Sequence, residues 1–188
     1  MAISITEVAK GLALSIDGAI CLVVDFNHVK PAKGSSFVRI KLRNLKTNLV
    51  IERTFRSAET LDEVSLEERR MQYLYNTGDM YHFMDQTTFE EQALSRDELG
   101  DVVKYLLDNM EVSGYVYQDR VLKILLPNFI VARIVETEPG IKGDSSRAGT
   151  KPAKIATGTT VLVPLFIEAG EDVKIDTRDG QYVERVKR

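Results

Sequence analysis

The sequence predicts a mainly β protein assembled from several small barrels or sandwiches. Three observations carry this reading. Short segments rich in β-branched residues recur along the chain, one of them alternates cleanly with period two, and Gly, Pro, Asn and Asp punctuate the gaps between them. The 188 residues fit three units of about 60 residues each.

Residues 19–26 (AICLVVDF) form the first expected strand. Residues 37–45 (FVRIKLRNL) form the next, with Val38, Ile40 and Leu42 on one face and Arg39, Lys41 and Arg43 on the other. The stretch between, 29–36 (VKPAKGSS), carries the Pro and Gly of a turn. The simplest structure is a hairpin with Lys30 and Lys33 at its tip and three more cations on its outer face. A further strand is expected over 49–55, after a turn at Thr47-Asn48.

Polar residues 57–70 read as a linker. A second hairpin is expected over 71–85, turning at Asn76-Thr77-Gly78-Asp79. One helix is expected over 95–108, where Ser95 and Glu98 form a capping box and Leu99, Val102, Val103, Leu106 and Leu107 follow at helical spacing. Strands are then expected over 111–117 and 121–126, with a break at Pro127-Asn128, and again over 129–137. A polar loop fills 138–154. The last strands lie at 160–163, 172–176 and 181–186, the final two joined by an Asp-Gly turn at Gly180. Boundaries after Val64 and Pro127 divide the chain into 1–64, 65–127 and 128–188.

Charge follows that division. The net charge of −3 resolves into +2, −6 and +1 over the three segments, and residues 25–56 alone carry +6. A locally basic element on an acidic protein points to a polyanionic partner met at one end. The bland alternative is a solvated surface that happens to be basic. A single cysteine, Cys21, excludes an internal disulfide. No apolar run exceeds six residues, far from the roughly 20 that span a bilayer, and the opening MAISITEVAK lacks the pattern of a secretory signal. A cytoplasmic protein with no membrane partner is expected.

Chemistry is thinly supplied. Lys33-Gly34-Ser35 has the wrong order for a phosphate-binding loop, and a strand follows it. Gly143-Asp144-Ser145 starts like a serine hydrolase motif, yet no His follows His82 to serve as its base. That loop reads either as a polar surface loop or as a recognition loop contacting a phosphate or base edge. His28 and His82 are far apart and lack metal-ligand spacing. Glu90-Glu91 reads as solvated, and Asp97-Glu98 as a helix first turn. No catalytic set, metal or cofactor is expected. What stands out is Lys33, a point charge with three donors at the end of a stiff hairpin, flanked by Pro31, Ala32, Gly34 and Ser35.

The segment VKPAKGSSFVRIKL (29–42) resembles the lysine-tip hairpin of bacterial translation elongation factor P. KPAKIATGTTVLVPLFIEAGEDVKIDTRDGQYVER (151–185) is similar to that family's C-terminal signature, and YNTGDMYHFMD resembles its second-domain hairpin. The resemblance implies three small β-barrel domains, an N-terminal SH3-like (KOW) barrel followed by two OB folds, in an L-shaped, tRNA-like arrangement. It implies binding to the ribosome, rRNA and ribosomal proteins included, between the peptidyl-tRNA and exit sites when consecutive prolines stall it. It also implies modification of the tip residue Lys33 by a lysine-modifying enzyme, and a monomer. Arg39, Lys41 and Arg43 would meet tRNA or rRNA, and Gly143, Asp144 and Ser145 would form a recognition loop near the exit-site codon or small-subunit RNA. Two positions depart from the family pattern: Ala32 stands where Gly is usual, and Ser145 where Thr is expected. A paralogue with a narrower role, a generic single-strand nucleic-acid binder and a hydrolase at Ser145 are the competing readings. The second would need aromatic platforms on a basic groove, whereas the Tyr/Phe-rich hairpin lies in the acidic segment.

Overall fold

A computed structural model of the chain describes residues 1–30, 36–139 and 149–187. Six strands form the first sheet: β1 (Ala2–Ser4), β2 (Ala13–Ile16), β3 (Ala19–Val29), β4 (Phe37–Asn44), β5 (Val50–Arg56) and β6 (Thr60–Glu63), in the order β1-β6-β2-β3-β4-β5. The antiparallel β1–β6 and β2–β6 pairings bring the end of this stretch back to its start. The curled sheet closes over a core that includes Ile5, Leu14, Cys21, Val23, Ile40 and Leu42.

The second sheet contains β7 (Glu67–Thr77), β8 (Met80–Asp85), β9 (Glu91–Ser95), β10 (Glu111–Tyr117) and β11 (Arg120–Leu125), in the order β11-β10-β7-β8-β9. Met71, Tyr73 and Phe83 are among its buried residues. The third contains β12 (Phe129–Thr137), β13 (Thr150–Ile155), β14 (Thr160–Pro164), β15 (Asp172–Asp176) and β16 (Tyr182–Val186), ordered β14-β13-β12-β15-β16. Its inward side chains alternate as period two requires: Ile130, Ala132 and Ile134 from β12 meet Val173 and Ile175 from β15. The chain divides into two compact units, one of Met1–Glu68 with Tyr115–Lys123, the other of Arg69–Gly114 with Ile124–Arg188.

The helix expected over 95–108 is far shorter. Its start is right: Ser95 and Glu98 exchange capping-box hydrogen bonds, and α1 (Arg96–Leu99) begins there. Gly100 then takes φ +55 and ends the α-helix, and a 3₁₀ segment runs over Gly100–Tyr105. Residues three apart share a face in both helix types, so the apolar spacing could not separate them. The expected linker over 57–70 holds β6 and the start of β7, and the expected loop over 138–154 gives way to β13 at Thr150.

Within the second unit, the 3₁₀ segment is seated on the third sheet. Tyr105, Leu107 and Met110 pack against that sheet's core. The hydroxyls of Thr157 and Thr159 both donate to the Lys104 carbonyl, at 2.6 and 2.8 Å.

Candidate functional site

The β3–β4 ribbon is built by alternation and one interruption. In β4, Val38, Ile40 and Leu42 are at most 1% exposed, while Arg39, Lys41 and Arg43 face outward and are exposed. Core burial of one face therefore forces the three cations onto the other. Across β3, Val23 is opposite Leu42 but Asp25 is opposite Lys41, so Val24 is a bulged residue. The surplus residue lets Phe26 pair with Ile40 on the core side instead of Asp25.

The cationic face has a defined electrostatic setting. Arg39, Lys41 and Arg43 lie opposite Thr54, Glu52 and Val50 on β5, and opposite Asn27, Asp25 and Leu22 on β3. Lys10 pairs with Asp25 at 2.8 Å and holds its carboxyl below the usual range, with Lys41 adding to the effect. The Arg39 guanidinium sits 5.7 Å from the Phe37 ring. Lys123 donates to Asn48 Oδ1 at 2.7 Å, and its ammonium is pushed down, first by burial and then by Arg43. Lys10 and Lys123 thus belong to this electrostatic neighbourhood. Sequence reasoning missed both, because each reaches it from a segment remote in the chain.

Lys30, the residue after β3, is exposed. The tip residues Pro31, Ala32, Lys33, Gly34 and Ser35 lie outside the described residues. On the far side, Ser36 is tied to Ser57, the residue after β5: its carbonyl accepts from Ser57 Oγ at 2.8 Å and from Ser57 N–H at 3.2 Å. Gly143, Asp144 and Ser145 also lie outside the described residues. The strands flanking that loop are pinned together, since Lys151, 6% exposed, donates to the Glu138 carbonyl at 2.7 Å and Thr137 Oγ1 donates to the Pro152 carbonyl at 3.0 Å.

Other candidates resolve into structure. Cys21 is 2% exposed and burial pushes its thiol up. His28 is exposed, with its ring edge-on to Phe26. Among the described residues no group of three or more His, Cys, Asp or Glu side chains is arranged to hold a metal ion, and no helix is long and apolar enough to cross a membrane.

Curled sheets with an outward row of cations on a two-stranded ribbon define a class of small-barrel β-protein. Three family models match in chain order: the elongation factor P KOW-like domain over residues 4–61, the elongation factor P OB domain over 66–124, and the elongation factor P C-terminal region over 130–185. The elongation factor P of Moorella thermoacetica is 51% identical over 183 residues, covering 97% of this chain and 99% of that one. That of Microcystis aeruginosa is 50% identical with the same coverage. Among solved structures, a translation initiation factor 5A from Methanococcus jannaschii has a TM-score of 0.50 at 22% identity, over 66% of this chain and 95% of that one. The likeness in that case is one of fold. The chain belongs to the elongation factor P family, a family of translation elongation factors. The expected mainly β architecture of KOW-like and OB domains holds.

Proposed function

We propose that the chain binds the ribosome between the peptidyl-tRNA and exit sites and promotes peptide-bond formation where consecutive prolines have stalled it. In this role it performs no covalent chemistry. It holds the acceptor end of the peptidyl-tRNA in a reactive pose, so that proximity and orientation supply the rate. The observation that carries the reading is the outward row Arg39, Lys41 and Arg43 on the strand that leads away from the tip. These cations grip tRNA or rRNA phosphates, and Lys33, with Lys30, Pro31, Ala32, Gly34 and Ser35 around it, reaches the acceptor end. Lys33 is the substrate of a lysine-modifying enzyme. Gly143, Asp144 and Ser145 contact RNA near the exit-site codon. The protein works as a cytoplasmic monomer whose functional division is 1–64, 65–127 and 128–188.

The test is translation of a proline-stretch reporter by ribosomes supplied with this protein. Rescue is expected with the wild type and is lost with Lys33→Ala. Undiminished rescue by that variant would overturn the tip mechanism. Replacing Arg39, Lys41 and Arg43 by Gln weakens ribosome binding and flattens its salt dependence, because fewer counterions are released.

A further inference from the structure

A second constellation lies on the second sheet. Met71 and Tyr73 are buried opposite Asp85 and Phe83. Two residues further on, Tyr75 is opposite His82, so Leu74 is a surplus residue in β7. That bulge moves Tyr75 and Thr77 off the core-facing side and onto the face that holds His82. Bulges recur beside active sites because they re-aim side chains in this way. Glu91, on β9 opposite Met84, shares that face.

The four side chains are joined in one network. His82 Nδ1 lies 2.6 Å from Glu91 Oε1, and His82 Nε2 lies 2.8 Å from Thr77 Oγ1. The Tyr75 hydroxyl donates to the same Glu91 oxygen at 3.1 Å, and its ring stacks on the imidazole at 4.5 Å and 17°. An ionised carboxylate only accepts, so it keeps the proton of the neutral imidazole on Nδ1. Nε2 is then a lone pair, and the Thr77 hydroxyl donates to it. Glu91 and Tyr75 are the titratable groups in contact with the ring. The next residue, Gly78, has nothing within 4 Å of where its Cβ would stand, so the approach to Thr77 is open on that side.

We propose that Thr77 is an activated hydroxyl nucleophile, with His82 as its general base and Glu91 fixing the imidazole tautomer, and that it accepts acyl groups from activated esters. The arrangement is that of a hydroxyl–imidazole–carboxylate triad, which is defined by geometry and not by chain order. In the first step Thr77 Oγ forms a bond to the acyl carbon while its proton passes to His82 Nε2. The ester C–O bond breaks, and the leaving oxygen departs with the bonding pair and takes up the proton. In the second, slower step water attacks the threonyl ester with His82 again as base. It releases a carboxylic acid and restores the hydroxyl. Nothing is oxidised or reduced.

The test treats the full-length protein with p-nitrophenyl acetate at pH 8 and maps the acetylated peptides by mass spectrometry. Neutral hydroxylamine separates the labile threonyl ester from stable lysine amides. An ester on Thr77 is expected, formed on the order of a hundredfold more slowly in His82→Gln or Glu91→Gln. Thr77→Ser keeps the reaction and Thr77→Val abolishes it, and this comparison leaves the base in place if the His82 or Glu91 variants melt early. Acetylation confined to amines, or Thr77 labelling that His82→Gln and Glu91→Gln leave unchanged in folded protein, overturns the proposal.

Discussion

The hydroxyl of Tyr105 occupies the space where a side chain on residue 180 would begin: a Cβ built on Gly180 would stand 2.5 Å from Tyr105 Oη. Gly180 also has φ +74, where an L residue is strained. Gly180→Ala therefore meets two separate obstacles and should cost about 2–4 kcal/mol in urea unfolding. The next nearest atom, Tyr105 Cζ, is at 3.8 Å, an ordinary contact. Adding Tyr105→Phe should thus remove the clash and leave only the backbone strain, and a double-mutant cycle would show the two substitutions to be coupled.

Neighbouring residues of β4 should separate stability from binding. Leu42 is fully buried, and Leu42→Ala is expected to cost about 2–5 kcal/mol. Arg43 points outward, and Arg43→Ala should change stability by no more than about 0.5 kcal/mol while weakening ribosome binding. Unfolding curves and a ribosome pelleting assay read the two effects independently.

Asp176 should report on acid stability. Side-chain hydrogen bonds from Arg178, reinforced by the Arg178 backbone N–H, bring its carboxyl down from 3.8 to about 2. A carboxyl lowered in the folded state contributes stability above its unfolded value, and loses it as the pH falls through the folded one. Arg178→Ala should move the Asp176 titration toward 3.8, measured by carbon NMR. The stability gap between variant and wild type should narrow as the pH drops from 4 to 2.

Cys21 should be silent to thiol reagents in the native protein. It is 2% exposed, and burial raises its thiol. Alkylation by iodoacetamide at pH 8 is expected only after denaturant unfolds the first sheet. Its rate should then track the unfolded fraction.

Where one face of a strand is apolar and the other charged, the sequence is easy to read. Val38, Ile40 and Leu42 against Arg39, Lys41 and Arg43 placed β4 to within a residue. β13 was hidden because its inward positions are Lys151, Ala153 and Ile155, and the buried cation breaks the apolar alternation. β1 and β6 are three and four residues long and come from the two ends of the first sheet's stretch of chain, with Ala2 directly opposite Asp62 and β6 paired on its other side with β2. No local pattern announces a pairing at that separation. The helix failed at Gly100, whose positive φ is a conformational fact that apolar spacing does not encode. For the candidate site, the cations of β4 were legible. The Lys10–Asp25 pair and the Thr77–His82–Glu91 network were not, since they depend on bulges that turn odd positions into even ones.

The bulge at Val24 sets how β3 tolerates changes in length. Deleting Val24 itself would leave Asp25 opposite Lys41 and Phe26 opposite Ile40, so the ribbon would keep its faces. Deleting Asn27 instead would bring His28 opposite Arg39 and Val29 opposite Val38, carrying each to the other face. Away from the bulge the ribbon can therefore grow or shrink only by whole pleats, two residues at a time and matched on β4. Length variation in this part of the chain should come in even steps or be confined to the bulge and the apex.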